Sequence, residues 1–395
     1  MIRILHINNF RNCLDVRLSI PDNSNIAVLY GKNGSGKTNI LEAVSLLFEA
    51  SGLRRAKYEE MISRCPQESL DERSGNPQDG TKNFWNIIAE TTSGTFSSGY
   101  IAGENTGRRI YKVNDKNVRN LGEFRKDNYV LWMTYETDRL FMQSPAERRN
   151  FIDMFCNVRF CDHALAVKNY EKLTRERLKI LKRYCESGIT TDVAKWLNII
   201  EAKIAELGLK VATARMAMVA ELEEYQIHNA EFPEFRNNMV GKLEDEVMRQ
   251  CAPLDAYKSE LLNRRQKDAI VGATTLGANR SDWQVFNVQK QINAEHCSAG
   301  EQKMMLIGIF LAFILRNMKM DNRDLTVLLD DVIAHLDTKH REILFSYIKR
   351  FASDGNQKIS IWLSGTSKDL FNTLSSTASF FEISNGTCRE TSISA

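Results

Sequence analysis

The chain has 395 residues, of which 43% are hydrophobic and 26% are charged, a composition typical of a globular protein with two or three domain-sized units. Its 53 lysines and arginines nearly balance 50 aspartates and glutamates, for a net charge of +3, so any basic surface for nucleic acid has to be local. No long apolar run, signal-peptide pattern or C-x-x-C pair occurs, which argues against a membrane-spanning helix and predicts a cytoplasmic protein with free thiols and no zinc site.

Short strand patterns dominate the first part of the chain, up to about residue 115. The runs IRILHINNFR, VRLSI and IAVLY come first, and the alternating runs KNFWNIIAETTSG and RRIYKVNDKNV follow. Between them, the segment Cys65–Thr81 is polar and contains both proline and glycine, which predicts a loop. We expect this part to form one portion of an α/β domain.

A glycine-rich loop follows the strand IAVLY and opens the helical apolar pattern NILEAVSLLF. The spacing of Gly31 and Gly36-Lys37-Thr38 matches the Walker A pattern of nucleotide-binding proteins. Glycines let successive N–H groups point inward around a phosphate, at the positive end of the helix dipole. We expect Lys37 to reach the β- and γ-phosphates and Thr38 to bind Mg²⁺. The predicted ATP-binding residues are Gly31, Lys32, Asn33, Gly34, Ser35, Gly36, Lys37 and Thr38.

Long, charged helical patterns occupy the middle of the chain, from about residue 140 to 265. Two of them, HALAVKNYEKLTRERLKILKRY and DVAKWLNIIEAKIAELGLKVATARMAMVAELEEY, are nearly free of glycine and proline. We expect these two helices to pair as an antiparallel hairpin. They are too short for the extended coiled coil of a chromosome-organising SMC protein.

The last part of the chain returns to an α/β pattern. The run LTVLLDD, Leu325–Asp331, reads as a buried strand that brings Asp330 to the carboxyl edge of a parallel sheet, where ligands bind. As in a Walker B motif, Asp330 is predicted to hold Mg²⁺ and Asp331 to act as general base for the attacking water. Asp337 follows in a short loop. Further predicted elements are the strands WQVFNVQ and KISIWLSG and the terminal hairpin SFFEISNG.

A second phosphate-binding helix start is predicted directly before the apolar helix EQKMMLIGIFLAFILRNM. It resembles the signature motif L-S-G-G-Q of ABC-type ATPases, which caps the γ-phosphate held by a second subunit and sandwiches ATP between two heads. The resemblance therefore implies an ATP-dependent homodimer, although a serine cap on an ordinary core helix explains the same residues. The motif comprises Ser298, Ala299, Gly300, Glu301 and Gln302.

Several blocks of the sequence together resemble the RecF family of bacterial DNA replication and recombination-repair ATPases. The resemblance implies a protein that dimerises with ATP, binds DNA at single-strand/double-strand junctions and gaps, works with RecR and RecO to load RecA, and takes part in the SOS response. The sequence departs from the family pattern at Tyr135-Glu136, Gln143 and Ala299. The matching blocks are FRN (Phe10–Asn12), GKNGSGKTNILEAVSLL, GLRRAKYEEMI (Gly52–Ile62), DRLFMQSPAERRNFID (Asp138–Asp153), CSAGEQK and LLDDVIAHLDTKHREIL (Leu328–Leu344).

The resemblance also implies roles for two acidic residues. Glu136 stands where related ATPases have a glutamine that senses Mg²⁺ and the attacking water. Asp331 is shorter than the glutamate of most ABC ATPases, so its carboxylate would lie farther from the water. We therefore expect a weak ATPase that works as a switch rather than as a motor, and the resemblance implies that its activity depends on DNA.

Two groups of basic residues are candidates for contacts with the DNA backbone. On the helix from about Ala164 to Tyr184, five basic residues recur at steps of four and three and share one face. A solvated helix face that also carries Glu171 and Glu176 explains the same pattern. A second cluster follows the helix that the nucleotide loop opens, and is expected near the nucleotide pocket. The candidates are Lys168, Lys172, Arg175, Lys179 and Lys182 on the helix, and Arg54, Arg55 and Lys57 after the loop.

The predicted fold class is α/β: an ABC-type P-loop ATPase head with mixed sheets, split by a helical second lobe. Residues 1–115 and 283–395 form the head, and residues 116–282 form the insertion lobe. Three other functions stay open, namely an ABC transporter ATPase subunit, an SMC-like structural ATPase and a nuclease with an ABC head. The helical insertion argues against the first, its length argues against the second, and the lack of a further acidic metal cluster argues against the third.

Overall fold

The computed structural model describes residues 1–49, 52–63, 83–103, 107–119, 128–184, 190–321, 323–334, 336–353 and 359–391. The predicted loop Cys65–Thr81, with Cys65, and the further cysteine Cys185 lie outside the described residues. The chain forms two compact units, one of Met1–Thr137 with Asp321–Ala395 and one of Asp138–Met320. Within the described residues, none of the helices has both the length and the apolar sequence that spanning a bilayer requires.

One sheet of the first unit is antiparallel and has six strands. The strands are β1 (Ile2–Phe10), β2 (Cys13–Ser19), β4 (Phe84–Thr91), β5 (Gly94–Ile101), β6 (Arg108–Val113) and β7 (Lys116–Val118). Their order across the sheet is β2-β1-β4-β5-β6-β7. Burial alternates along β4 and β5, because one face of the sheet packs on the core and the other does not.

The second sheet of this unit is mainly parallel. It contains the strand before the nucleotide loop and most of the strands predicted in the last part of the chain. The strands are β3 (Ile26–Tyr30), β8 (Asn128–Thr134), β12 (Asp324–Asp330), β13 (Ile359–Gly365), β14 (Ala378–Ser384) and β15 (Thr387–Glu390). Their order is β15-β14-β3-β13-β12-β8, and β14 and β15 form the antiparallel hairpin that the sequence predicts. Every residue of β12 and β13 is buried, as expected for parallel strands covered on both faces.

Helix α1 (Lys37–Phe48) forms the centre of the first unit. It contacts strands of both sheets, and its nine residues from Ile40 to Phe48 are all buried. Seven of these nine residues are apolar, as expected for a helix inside a domain, and each fully buried Leu, Ile, Val or Phe side chain contributes about 1.5–3 kcal/mol. This packing fixes the start of α1, and therefore the glycine loop before it, against the carboxyl ends of the parallel strands. Helix α8 (Thr338–Ser353) packs against β13.

The second unit is mainly helical. Its elements are α2 (Pro145–Arg159), α3 (His163–Tyr184), α4 (Thr191–Glu224), β9 (Phe235–Val240), α5 (Pro253–Asn263), α6 (Arg265–Val271), β10 (Asp282–Asn287), β11 (Ile292–Asn293) and α7 (Ala299–Met320). Helices α3 and α4 form the predicted antiparallel hairpin, because Tyr170 lies beside Gly208 while the later Arg177 pairs with the earlier Glu201 at 2.8 Å. The three strands form a small antiparallel sheet in the order β11-β10-β9.

The division between the units differs from the predicted boundaries at residues 115/116 and 282/283. Strand β8 pairs with β12 along its whole length, so it belongs to the first unit rather than to the insertion. Helix α7 belongs to the second unit, where the ring of Phe313 stacks on Phe155 at 4.4 Å and Arg316 pairs with Glu221 at 2.6 Å. The difference arises because side-chain packing, rather than the alternation of patterns along the chain, decides which elements form a unit.

Candidate functional site

The glycine loop joins β3 to α1 and has the backbone of an anion-binding loop. Gly31, Gly34 and Gly36 have φ angles of 152°, 80° and 116°, which side-chain residues rarely adopt. A Cβ atom on Gly31 would also lie 2.2 Å from the carbonyl oxygen of Ile383. Glycine is therefore required at Gly31 by both backbone angle and space, and the loop can direct its N–H groups inward.

Lys37, the first residue of α1, closes over the loop. Its ammonium donates hydrogen bonds to the carbonyl oxygens of Gly31 at 2.7 Å and Lys32 at 2.9 Å. Burial lowers the pKa of Lys37, and the nearby carboxylates of Asp331 and Asp330 act in the opposite direction. The ammonium therefore lies within electrostatic reach of both Walker B aspartates.

The carboxylate of Asp330 lies at the end of β12, directly opposite the start of α1. The Thr38 hydroxyl donates to Asp330 Oδ1 at 3.1 Å, although the two residues are 292 positions apart in sequence. Asp330 itself is 3% exposed. The structure therefore brings together the two oxygens that the sequence predicts as Mg²⁺ ligands.

Ser364, near the end of β13, is a site residue that the sequence analysis missed. Its hydroxyl donates to Asp330 Oδ1 at 2.8 Å and accepts a hydrogen bond from the backbone N–H of Asp331, also at 2.8 Å. Asp331 has a φ of 55°, a left-handed conformation that is uncommon outside glycine and often marks functional sites. The single hydroxyl of Ser364 thus orients the side chain of one aspartate and the backbone of the next. The only sequence signal is a serine near the end of the buried strand KISIWLSG.

Replacing Ser364 by Ala should slow ATP hydrolysis about tenfold, because a lost buried hydrogen bond costs about 1–2 kcal/mol. Single-turnover hydrolysis at saturating ATP is the measurement. Ser360→Ala is the matched control, because Ser360 is buried on the same strand and accepts from Trp362 Nε1 at 3.2 Å rather than contacting Asp330. Equal hydrolysis rates for the two variants would contradict a positioning role for Ser364.

Glu136 follows the end of β8, and Asp337 precedes the start of α8, both in the first unit. Glu136 is exposed two residues after β8, and the last pair of the β8–β12 register is Thr134 with Asp330. Glu136 therefore follows the strand next to Walker B at the same edge of the sheet. Asp337 precedes α8 and accepts hydrogen bonds from the backbone N–H and the Nδ1 of His340, both at 2.8 Å, which lower the pKa of its carboxyl.

The signature residues form the exposed start of α7 in the second unit. Ser298 and Glu301 satisfy each other as a capping box: the Ser298 hydroxyl and backbone N–H donate to Glu301 Oε2 at 2.8 and 3.1 Å. Lys290 holds the other carboxylate oxygen of Glu301 at 2.6 Å. Lys290 and Ser298 together lower the pKa of Glu301. Ser298, Ala299 and Gly300 are exposed, whereas Gln302 is buried and donates to the carbonyl oxygen of Cys297 at 2.9 Å.

All eight basic candidates for DNA contact lie on the surface. On α3, the five residues occupy the exposed side of a helix whose Tyr170, Arg177 and Ile180 are buried, and Arg175 pairs with Glu171 at 3.6 Å. The cluster after the nucleotide loop differs, because Arg54 also bonds inward to α1. The exposed residues are Lys168, Lys172, Arg175, Lys179, Lys182, Arg54, Arg55 and Lys57.

Asp153, Cys156 and His163 form a buried group whose ligand atoms lie within 4.8 Å of one another. The Asp153 carboxylate is already held by Arg215 through two hydrogen bonds of 2.8 and 2.7 Å and by His163 at 2.7 Å. Burial raises the pKa of the Cys156 thiol well above its usual range, which disfavours the thiolate that a metal needs. A guanidinium in this position suits a structural ion pair joining α2, α3 and α4.

Comparisons with known proteins find similar sequences over nearly the whole chain. A family model described as RecF/RecN/SMC N terminal domain matches residues 1–125. The chain is 34% identical over 386 residues to the DNA replication and repair protein RecF of Agrobacterium fabrum, covering 97% of this chain and 96% of that protein. It is 30% identical over 382 residues to the protein of the same name from Rickettsia akari, covering 96% and 98%.

Two solved structures show the fold. A structure described as the recombination mediator protein RecF-ATPrS in the RecFOR pathway has a TM-score of 0.78 at 20% identity and covers 99% of this chain and 98% of that one. The Smc head domain with an extended coiled coil, bound to the C-terminal domain of ScpA derived from Pyrococcus furiosus, has a TM-score of 0.52 at 14% identity, with 99% and 96% coverage. The predicted α/β class with mixed sheets is thereby confirmed.

Proposed function

Because this chain belongs to the RecF family of DNA replication and repair proteins, we propose that it is an ATP-gated DNA-binding protein. ATP binding joins two heads on gapped or junction DNA, and slow hydrolysis releases them. RecR and RecO are the proposed partners in loading RecA, since a structural relative is described as a mediator of the RecFOR pathway. A role in the SOS response and a cytoplasmic location are part of the same proposal, because chromosomal DNA is the proposed ligand.

ATP is proposed to bind at the glycine loop of the first unit. The inward N–H groups and the start of α1 would surround the phosphates, and Lys37 would exchange its contacts with the loop carbonyls of Gly31 and Lys32 for phosphate oxygens. A structure described as RecF with ATP has a TM-score of 0.77 to this chain, which supports the same nucleotide.

Mg²⁺ fits the same place because the converging groups offer oxygen, the ligand atom that this ion prefers. The donors are the Thr38 hydroxyl and the Asp330 carboxylate, 3.1 Å apart. When bound, the ion would neutralise charge on the β- and γ-phosphates. Ser364 holds the Asp330 carboxylate in place at 2.8 Å, and Asp331 is the proposed general base.

The observation that carries the proposal of a dimer is the exposed start of α7. The first N–H groups of a helix have no backbone partners within the helix. Here Glu301 accepts from the N–H of Ser298, and the exposed Ala299 and Gly300 follow at the helix start. A second subunit's nucleotide phosphates would find an anion-binding surface there, at the positive end of a helix that extends from Ala299 to Met320. The homodimer would therefore contain two composite sites.

Replacing Ser298 by Arg tests this proposal by placing a bulky side chain on the exposed helix start. We expect monomeric ATP binding to stay near that of the wild type, while ATP-dependent dimers disappear in sedimentation velocity. Ser259→Arg, on an exposed position of α5, is the control. Loss of ATP binding together with dimerisation would mean that the motif acts within its own chain, which contradicts the proposal.

Mixing two inactive variants sharpens the test. A mixed dimer of the Ser298→Arg and Lys37→Met proteins retains one composite site made of an intact nucleotide loop and an intact signature. Part of the ATPase activity should therefore return on mixing, although each protein alone has none. Inactivity of the mixture at concentrations where wild-type dimers form would rule out complementation between subunits.

A further inference from the structure

The turn between β1 and β2 contacts the nucleotide loop through the side chain of Asn12. The side-chain amide of Asn12 donates to the carbonyl oxygen of Ser35 at 3.2 Å, and the backbone N–H of Gly386 donates to the same oxygen at 2.9 Å. A Cβ atom on Gly36 would lie 2.8 Å from Asn12 Oδ1. Asn12 therefore packs directly against Ser35 and Gly36, two residues of the proposed phosphate-binding loop.

Asn39 extends this contact away from the loop. It follows Thr38 on α1, and its amide nitrogen donates to Asn12 Oδ1 at 2.7 Å. Its own side-chain oxygen accepts a hydrogen bond from Arg54 Nη1 at 2.8 Å. Both polar atoms of the Asn39 side chain are thus used, one toward the nucleotide loop and one toward the basic segment after α1.

Arg54, the last residue of this chain of hydrogen bonds, also contacts a buried carboxylate, that of Glu42. Glu42 on α1 is fully buried and forms a two-bond ion pair with Arg11, one bond of which measures 2.8 Å. Arg54 reaches the same carboxylate at 3.4 Å. Arg11 has a φ of 51°, a conformation that a non-glycine residue keeps only when its surroundings hold it there.

Arg54 is the member of this group that a ligand can reach. Its side chain is 40% exposed, compared with 0% for Glu42, and it lies beside the exposed Arg55 and Lys57. A backbone phosphate that engages Arg54 would compete with Asn39 and Glu42 for its guanidinium. Glu42 would stay paired through Arg11, so withdrawal of Arg54 leaves no isolated buried charge.

We propose that Asn12, Asn39 and Arg54 form a relay that couples nucleic-acid phosphate at the basic segment to the nucleotide loop. The relay rests on the proposed function, in that DNA is its ligand, and it adds the route by which DNA and ATP sense each other. When a phosphate binds Arg54, Asn39 loses its hydrogen bond from the guanidinium. Asn39 and Asn12 then rearrange, and the hydrogen bond from Asn12 to the Ser35 carbonyl changes. By linkage, ATP must alter DNA affinity by the same factor by which DNA alters ATP affinity.

The test measures this factor from both sides in the full-length protein. Affinity for a non-hydrolysable ATP analogue is determined with and without a short gapped duplex, and DNA affinity with and without the analogue. For the wild type we expect equal factors of about fivefold or more. The Asn39→Ala protein should still bind both ligands, but each ligand should change the affinity for the other by a factor near one. Arg55→Ala should bind DNA more weakly and keep the wild-type factor, because among the described residues it takes no part in the relay.

The Arg54→Ala variant provides a second, independent test of the relay, because Arg54 is a surface residue. Since it removes the arginine that DNA would withdraw, its affinity for the ATP analogue without DNA should equal that of the wild type with DNA. A wild-type coupling factor in Asn39→Ala would overturn the relay alone. DNA binding by the wild type with no effect on nucleotide affinity would overturn the relay and, by linkage, the ATP gating of the proposed function as well. A wild type that binds no DNA in any nucleotide state would overturn the proposed function and the relay with it.

Discussion

Replacement of Lys37 by Met is expected to abolish ATP hydrolysis, with a fall of at least about 10²-fold, and to abolish ATP-dependent dimerisation. Methionine keeps the length of the side chain but removes the ammonium that lies over Gly31 and Lys32. A fixed charge of this kind, aimed at the transferring phosphoryl group in a partly buried site, is among the largest contributions to catalysis. Steady-state ATPase assays and sedimentation with ATP are the measurements.

The Lys37 side chain is buried, so stability has to be separated from chemistry. Burial already lowers the pKa of Lys37, and its removal should leave the thermal unfolding midpoint close to that of the wild type or above it. Lys203→Met, which removes a 58% exposed lysine on α4, controls for the change in net charge. A folded Lys37→Met protein that hydrolyses ATP at the wild-type rate would remove the basis for the nucleotide site.

Local spacing made the nucleotide loop and its strand predictable from the sequence. The residues from Gly31 to Thr38 are consecutive, and α1 begins at Lys37, directly after the glycines. The Walker B run is equally local, because an unbroken apolar strand ends at Asp330 with every residue buried. The resemblance to the RecF family used the same local blocks, and relatives that match nearly the whole chain confirm it.

Long-range pairing accounts for what the sequence did not reveal. Ser364 reaches Asp330 across 34 residues because β13 and β12 are parallel neighbours, an order that no local pattern specifies. Asn12 meets Ser35 only because the β1–β2 turn packs against the loop. The boundary of the insertion was missed for a similar reason, since β8 joins the first unit through its pairing with β12.

Charge patterns proved the least specific signal. Exposure of Lys168, Lys172 and Lys179 on α3 suits phosphate contacts and a solvated helix face equally, so their role in DNA binding stays a prediction. Arg54 is different, because its bonds to Asn39 and Glu42 could not be read from a basic cluster in the sequence. A surface arginine with inward partners can sense a ligand as well as attract it.

Replacement of Asp331 by Asn should slow hydrolysis by about 10²–10⁴-fold while leaving ATP and Mg²⁺ bound. Asparagine keeps the size and the hydrogen bonding of the side chain but cannot accept the proton of the attacking water. The backbone N–H of Asp331 would still donate to Ser364, so the loop should keep its shape, and Asp330 remains as the metal ligand. Asp255→Asn, at a 78% exposed carboxylate of α5, serves as control.

The effect of Asp331→Asn on the lifetime of the DNA complex distinguishes an ATP-driven switch from a protein that binds DNA regardless of hydrolysis. If hydrolysis opens the dimer, the Asp331→Asn protein should stay dimeric with ATP, and its complex with gapped duplex should outlive that of the wild type by a large factor. With ADP the two proteins should dissociate alike. Binding should weaken steeply as salt rises, because phosphate contacts release counterions. Dissociation rates in ATP and ADP decide the matter: equal lifetimes of the two proteins in ATP would mean that hydrolysis does not release DNA.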